Sequence, residues 1–193
     1  MPYPVATGAG AFIDSVLGVC LFIAAMRFIF QRIQADFDIP LVRFTVAVTN
    51  PPIRFLRRFI PDFGGMRGRD IAAALFVYLL AALKLTVPLS LAGYDFNWSG
   101  ALLLAFADTL DTFAWVFLLA VLAGAVASWV FPSSMHPMIR IAYHTGSPIL
   151  MPIREVLPPL AGIDFSPLVG LFALRLAQQW LIAPLAGFGL QLM

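Results

Sequence analysis

The segment NPPIRFLRRFIPDFGG at residues 50–65 returns at residues 147–162 as SPILMPIREVLPPLAG, an offset of 97 positions. That offset lays Asn50 and Pro51 on Ser147 and Pro148, Arg57 on Arg154, Pro61 on Pro158, and Gly65 on Gly162. Working outward, it also carries Pro40 onto Pro137, Arg43 onto Arg140 and Asp14 onto Asp111. This many matches of uncommon residue types in one register mark an internal repeat. Beyond Gly65 the register breaks, since Asp70 meets Asp164 only at an offset of 94.

The repeated piece has a mechanical reading. Asn50 and Ser147 suit helix N-caps, and the proline after each suits the first helical position, where its missing N–H costs nothing. A short helix is therefore expected from each. In the first copy Ile53, Leu56, Phe59 and Ile60 gather on one side, with Arg54 and Arg58 apart at i, i+4. Pro61 and Pro158 should stop the helices, and Gly65 or Gly162 should turn the chain onward.

The rest of the chain says where these helices lie. Of 193 residues, 61% are hydrophobic and only 11% charged, against about 25% charged in a soluble domain. Mean hydropathy is +0.92. This is a membrane chain, and a net charge of +2 excludes an electrostatic footprint for nucleic acid. Cys20 is the one cysteine, so no intramolecular disulfide can form. Residues 1–10 carry no Lys or Arg, so the first apolar run reads as a retained span rather than a signal peptide.

A bilayer core needs about 20 apolar residues per helix. Four stretches qualify: about 12–30, 71–91, 112–131 and 167–190. They divide the chain into one span–helix–span repeat over 1–92 and another over 93–193. Arg32, Arg43, Arg54, Arg57, Arg58, Arg67 and Arg69 fall between the first two spans, and Arg140 and Arg154 between the last two. The positive-inside rule then places both arginine-bearing connections in the cytoplasm and both termini in the periplasm. An even number of spans per repeat makes the copies parallel, related by an axis along the membrane normal.

These residues resemble the YggT (YlmG-like) integral membrane proteins. The second copy carries Ser147-Pro148, Pro152-Ile153-Arg154, Pro158, Gly162 and Asp164-Phe165-Ser166-Pro167, similar to that family's proline-arginine-proline stretch and Asp-x-Ser-Pro helix entry. The first copy keeps Thr49-Asn50-Pro51, Arg57-Arg58 and Pro61, but has Asp70-Ile71-Ala72-Ala73 where Ser-Pro would stand. The resemblance implies an inner-membrane or plastid-membrane protein linked to osmotic tolerance, cell division or nucleoid organisation, or membrane cofactor assembly. It implies no catalytic residues.

Arg54, Arg57, Arg58 and Arg154 are the candidate contact residues. An arginine at a cytoplasmic helix can orient the protein, cap a neighbouring helix, hold a lipid phosphate or meet a partner protein. Asp164, Ser166 and Pro167 read as a helix start, with side-chain acceptors for orphan N–H groups followed by proline, and Asp70 should do the same for the second span. Arg27, Lys84 and Arg175 sit within spans. Lys84, Arg175, Asp108 and Asp111 pose the intramembrane question, each a functional hypothesis because an unpaired charge there costs at least about 2.5 kcal/mol. Lys84 lies at the depth of Asp14 and Asp111, so it can pair with Asp14, Asp108 or Asp111, as a lock between helices or as part of an ion path. Arg175, with Gln178 and Gln179 one turn on, should face the bundle interior or a wet cavity. His136 and His144 lack neighbours at metal-ligand spacing, so no metal is expected, nor any cofactor. Gly18 and Gly124 suit close helix packing.

The sequence thus predicts an all-α protein of four transmembrane helices, with a short amphipathic cytoplasmic helix inside each repeat. No nucleophile, base and orienter can be assembled from it, so an enzyme is not expected. The leading expectation is a bacterial inner-membrane scaffold or assembly factor contacting anionic lipid and a membrane-protein partner or further copies of itself. The alternative is a small oligomeric ion channel or transporter.

Overall fold

The computed structural model describes residues 8–62, 67–130, 136–157 and 164–193. Among these described residues four helical stretches are long and apolar enough to cross a membrane: α1 (Gly8–Arg32), α3 (Gly68–Leu91), α4 (Trp98–Val130), and the last, which joins α6 (Ser166–Ala177) to α7 (Ala183–Leu192) through a π-helical turn at Gln178–Ile182. Helices satisfy their own backbone groups, which lipid cannot do for them. The chain is an all-α, multi-pass membrane protein.

The third span is longer than expected. It starts at Trp98 rather than near Thr112, because residues 100–107 are already apolar and Asn97 caps them, accepting the Ser99 amide at 3.1 Å. At 1.5 Å per residue α4 is about 50 Å long, so it extends beyond a bilayer core of about 30 Å.

The connecting helices are also longer than expected. They are α2 (Pro40–Leu56) and α5 (Pro137–Val156), both amphipathic. Asn50 and Ser147 are therefore not N-caps, and Pro51 and Pro148 do not open helices; all four lie inside them. The prolines at the first helical position are Pro40 and Pro137, the same repeat-related pair, ten or eleven residues upstream. The interior prolines are tolerated because of where they sit. Pro51 and Pro52 deprive the carbonyls of Ala47 and Val48 of their donors, and Pro148 that of His144, but these residues are exposed and their carbonyls can be solvated. α2 ends at Leu56, before Pro61, which is exposed outside any helix; Phe59 lies in the turn after it and is 71% exposed rather than packed. Gly65, Pro158 and Gly162 lie outside the described residues.

α1 packs on α3, both touch α4, and α4 supports α5, α6 and α7. The centre is Leu21, Ala24, Ala25, Val77, Ala81 and Ala105, small side chains that let helix backbones approach. α4 and α7 approach closely at Gly100 and Gly189. A Cβ on Gly100 would lie 2.7 Å from the Gly189 carbonyl oxygen, and one on Gly189 would lie 2.7 Å from Leu104 Cγ. Gly18 and Gly124, expected to serve close packing, have only ordinary contacts, to Lys84 at 3.7 Å and Tyr143 at 3.4 Å.

Both amphipathic helices sit at the same end of the bundle. Arg140, in the first turn of α5, pairs with Asp36 in the loop before α2 at 2.7 Å, and Ile141 packs with Phe30, Ile39 and Val42. That is the arrangement parallel repeats require.

Candidate functional site

Two polar constellations stand out from the apolar bundle. The first is at the end that carries α2 and α5. Arg54, Arg57, Arg58 and Arg154 are all exposed there. Arg154 donates from Nε and Nη2 to Asp164 Oδ2 at 3.0 and 2.8 Å, and Asp164 Oδ1 accepts the Ser166 amide at 2.9 Å. Asp164 thus caps the start of α6 and holds α5 to it, with Pro167 in the first turn. Burial pushes the Asp164 carboxyl up, but hydrogen bonds from Ser166 and Arg154 outweigh it and hold the group below its ordinary range.

Asp70 does something else. It lies within the first turn of α3 and accepts from Gln31 of α1, with Arg32 at 3.8 Å and Arg69 at 3.7 Å. The first amide of α3, on Gly68, is capped by Asp62 instead. In the sequence three more residues separate Gly65 from Asp70 than Gly162 from Asp164, and Asp70 stands third in α3 whereas Asp164 stands two residues ahead of α6.

Between α1, α2 and the start of α3 is an open cavity of about 500 Å³. Arg27, Arg54, Arg57 and Arg69 line it, with Gln31 and Asn50. Arg27 and Gln31 were not singled out from the sequence as a site; their i, i+4 spacing on the first span was the signal that marks one polar face.

The second constellation is inside the spans. Lys84 Nζ pairs with Asp108 at 3.0 and 3.1 Å, linking α3 to α4. Of the three carboxylates expected as partners, Asp108 is the one used. Asp111 accepts from Gln178 Nε2 at 2.8 Å, so the π-helical turn connects to α4 as well. With Asp14 these residues line a pocket of about 170 Å³.

Arg175 does not face the interior. It is exposed, stacks on Trp115 with its guanidinium carbon 4.5 Å from the ring centroid, and donates to Gln178 Oε1 at 3.2 Å. A face with cation–π and amide contacts is the accommodation available to an arginine on the outside of an apolar helix. Among the described residues no group of three or more His, Cys, Asp or Glu is arranged to hold a metal ion.

The sequence profile of the CCB3/YggT family matches residues 7–91 and again 103–185. Among similar proteins, an uncharacterized protein of Pseudomonas aeruginosa is 36% identical over 92% of this chain and 90% of its own length. A Vibrio alginolyticus protein, described as uncharacterized and encoded in the proC 3' region, is 32% identical over 86% of this chain and 88% of its own. The uncharacterized protein YggT of Escherichia coli K12 is 31% identical over 81% of this chain and 80% of its own. No solved structure matches significantly.

Proposed function

The chain belongs to the CCB3/YggT family, and on that premise we propose that it is a non-enzymatic membrane scaffold or assembly factor of the bacterial inner membrane. Its working surfaces are α2 and α5, held at the cytoplasmic face, with both termini periplasmic. The observation that carries this reading is that each connection between spans in a repeat is folded into an amphipathic helix clamped to the bundle while part of its apolar side remains uncovered. Phe44 and Phe55 on α2 are 52% and 60% exposed, and Met151 on α5 is 58% exposed. Arginines beside exposed aromatics suit anionic headgroups together with the apolar boundary below them. A membrane-protein partner or another copy of the chain can seat on the same faces.

A second reading, a small oligomeric ion channel or transporter, draws on the pocket around Lys84, Asp108, Asp111 and Gln178. The Lys84–Asp108 and Asp111–Gln178 contacts read more simply as interhelical locks, since each of these four groups has its partner in a neighbouring helix.

The test is photo-crosslinking in native membranes from Phe55 and Met151, each replaced by a photoreactive residue. Scaffold function gives the same defined membrane-protein adducts from both helices. Adducts to lipid alone from both positions, with ion flux in reconstituted vesicles, would favour the transporter.

A further inference from the structure

The cavity bounded by α1, α2 and α3 has a repeat-related counterpart, and the two have diverged. The counterpart, about 620 Å³, lies against α4, α5 and α6. At the offset of 97, Arg27, Gln31, Val46, Ile53 and Arg57 of the first cavity correspond to Gly124, Ser128, Tyr143, Leu150 and Arg154, which all line the second. In the second cavity the shared arginine is neutralised by Asp164 at 2.8 Å and the position of Arg27 is a glycine. In the first, the corresponding acid, Asp70, is engaged by Gln31, Arg32 and Arg69. Among the described residues no carboxylate is within ion-pair distance of Arg27, Arg54 or Arg57, and the buried Arg27 Nε has no hydrogen-bond partner. The acid on the cavity wall, Asp36, is taken by Arg140 at 2.7 Å.

An unneutralised group of guanidiniums beside a membrane boundary has one matching chemistry. Arginine forks fit phosphate oxygens bidentately, and basic pockets between transmembrane helices take anionic headgroups. Phe30, Phe37 and Val42 supply an apolar wall beside the arginines, which suits the glycerol and upper acyl portion of a lipid and offers nothing to a free phosphate ion. We propose that this cavity is a binding site for the phosphate of an anionic phospholipid, with the unpaired Arg27, Arg54 and Arg57 as its anion ligands and Gln31 and Asn50 as further donors. This deepens, and rests on, the reading of α2 as a lipid-facing surface by giving it one specific site, part of which, Arg27 on α1, lies outside α2.

The test uses the full chain in nanodiscs of phosphatidylcholine doped with cardiolipin. Cardiolipin retained through detergent extraction is measured by native mass spectrometry for the wild type and for Arg27→Gln, Arg54→Gln, Arg57→Gln and Arg67→Gln. Retention is expected to fall about fivefold for each of the first three, the ratio that corresponds to about 1 kcal/mol per basic residue. Arg67, exposed and off the cavity wall, should matter little. If Arg27→Gln disturbs folding, Arg27→Lys keeps the charge without the fork and should retain an intermediate amount. Unchanged retention in the first three variants, or an equal fall for Arg67→Gln, overturns the site. A parallel titration with inorganic pyrophosphate separates the sources: saturable thermal stabilisation by pyrophosphate, with cardiolipin not retained, overturns the lipid assignment. Crosslinks from α2 and α5 to partners would keep the scaffold reading even if this site fails.

Discussion

Arg154 presents two donors to a single oxygen of Asp164, at 3.0 and 2.8 Å, while the other oxygen of that carboxylate caps α6 through the Ser166 amide at 2.9 Å. One side chain thereby fastens the end of an interfacial helix to the start of a span. The related arginine of the first repeat, Arg57, has no such partner among the described residues, and the two halves of the molecule part company at that point.

The first expectation concerns Asp164 itself. Asp164→Ala should destabilise the α5–α6 junction by about 1 kcal/mol, mostly the loss of the cap, since solvent screens so exposed an ion pair, whereas Asp164→Asn keeps an acceptor for the Ser166 amide and should cost less. The pH dependence follows from a folded pKa held below the ordinary 3.8. A depressed carboxyl contributes stability that is fully present above 3.8 and is lost as pH falls through the folded value. Protection of the first α6 amides against hydrogen exchange, relative to the intrinsic rate at each pH, should therefore fall in acid in the wild type, and the Asn variant should lack that slope.

Lys84 and Asp108 should behave as a pair. Lys84→Leu leaves a carboxylate without its partner among the spans and should cost about 2.5 kcal/mol or more. Lys84→Leu with Asp108→Leu should recover most of that loss. Melting of Lys84→Leu, Asp108→Leu and the double variant in one detergent checks this, and a double variant as unstable as the sum of the singles would exclude the lock.

The four-span architecture was legible because it rests on run length and on the duplication, both properties of sequence alone. The prolines show where legibility ended. Capping chemistry points to Asn50 and Ser147, but the preference of proline for the first helical position applies equally to Pro40 and Pro137, and it is at those starts that Ile39, Val42 and Ile141 pack together. Arg175 is expected to face the bundle interior or a wet cavity, because an unpaired charge within a span is costly. The structure satisfies it from the outside, on Trp115, a contact between residues 60 positions apart that no local pattern encodes. Partner choice for Lys84 was narrowed to three carboxylates by depth, and helix rotation then selected Asp108. Arg27 was visible only as a charge within a span, because the cavity it lines needs α2 and α3 in place.

Glycine substitutions should separate close contact from open surface. Gly100→Ala and Gly189→Ala must push α4 and α7 apart and should each cost about 1–3 kcal/mol. Gly187→Ala, whose Cβ would meet nothing within 4 Å, should be neutral or slightly stabilising in the same melting assay.

Orientation has its own check. In a Cys20→Ser background, Asp95→Cys in the α3–α4 connection should react with a membrane-impermeant maleimide in spheroplasts. Glu155→Cys on α5 should react only after the membrane is opened. The reverse pattern would move α2 and α5 to the periplasmic face.

The central claim, that the molecule organises other membrane components rather than passing ions, is tested most directly by flux across liposomes containing the purified chain. Vesicles loaded with a potassium or proton indicator should show no flux above empty controls, for the wild type and for Lys84→Leu and Arg175→Leu alike. Flux in the wild type that disappears on Lys84→Leu would contradict the account.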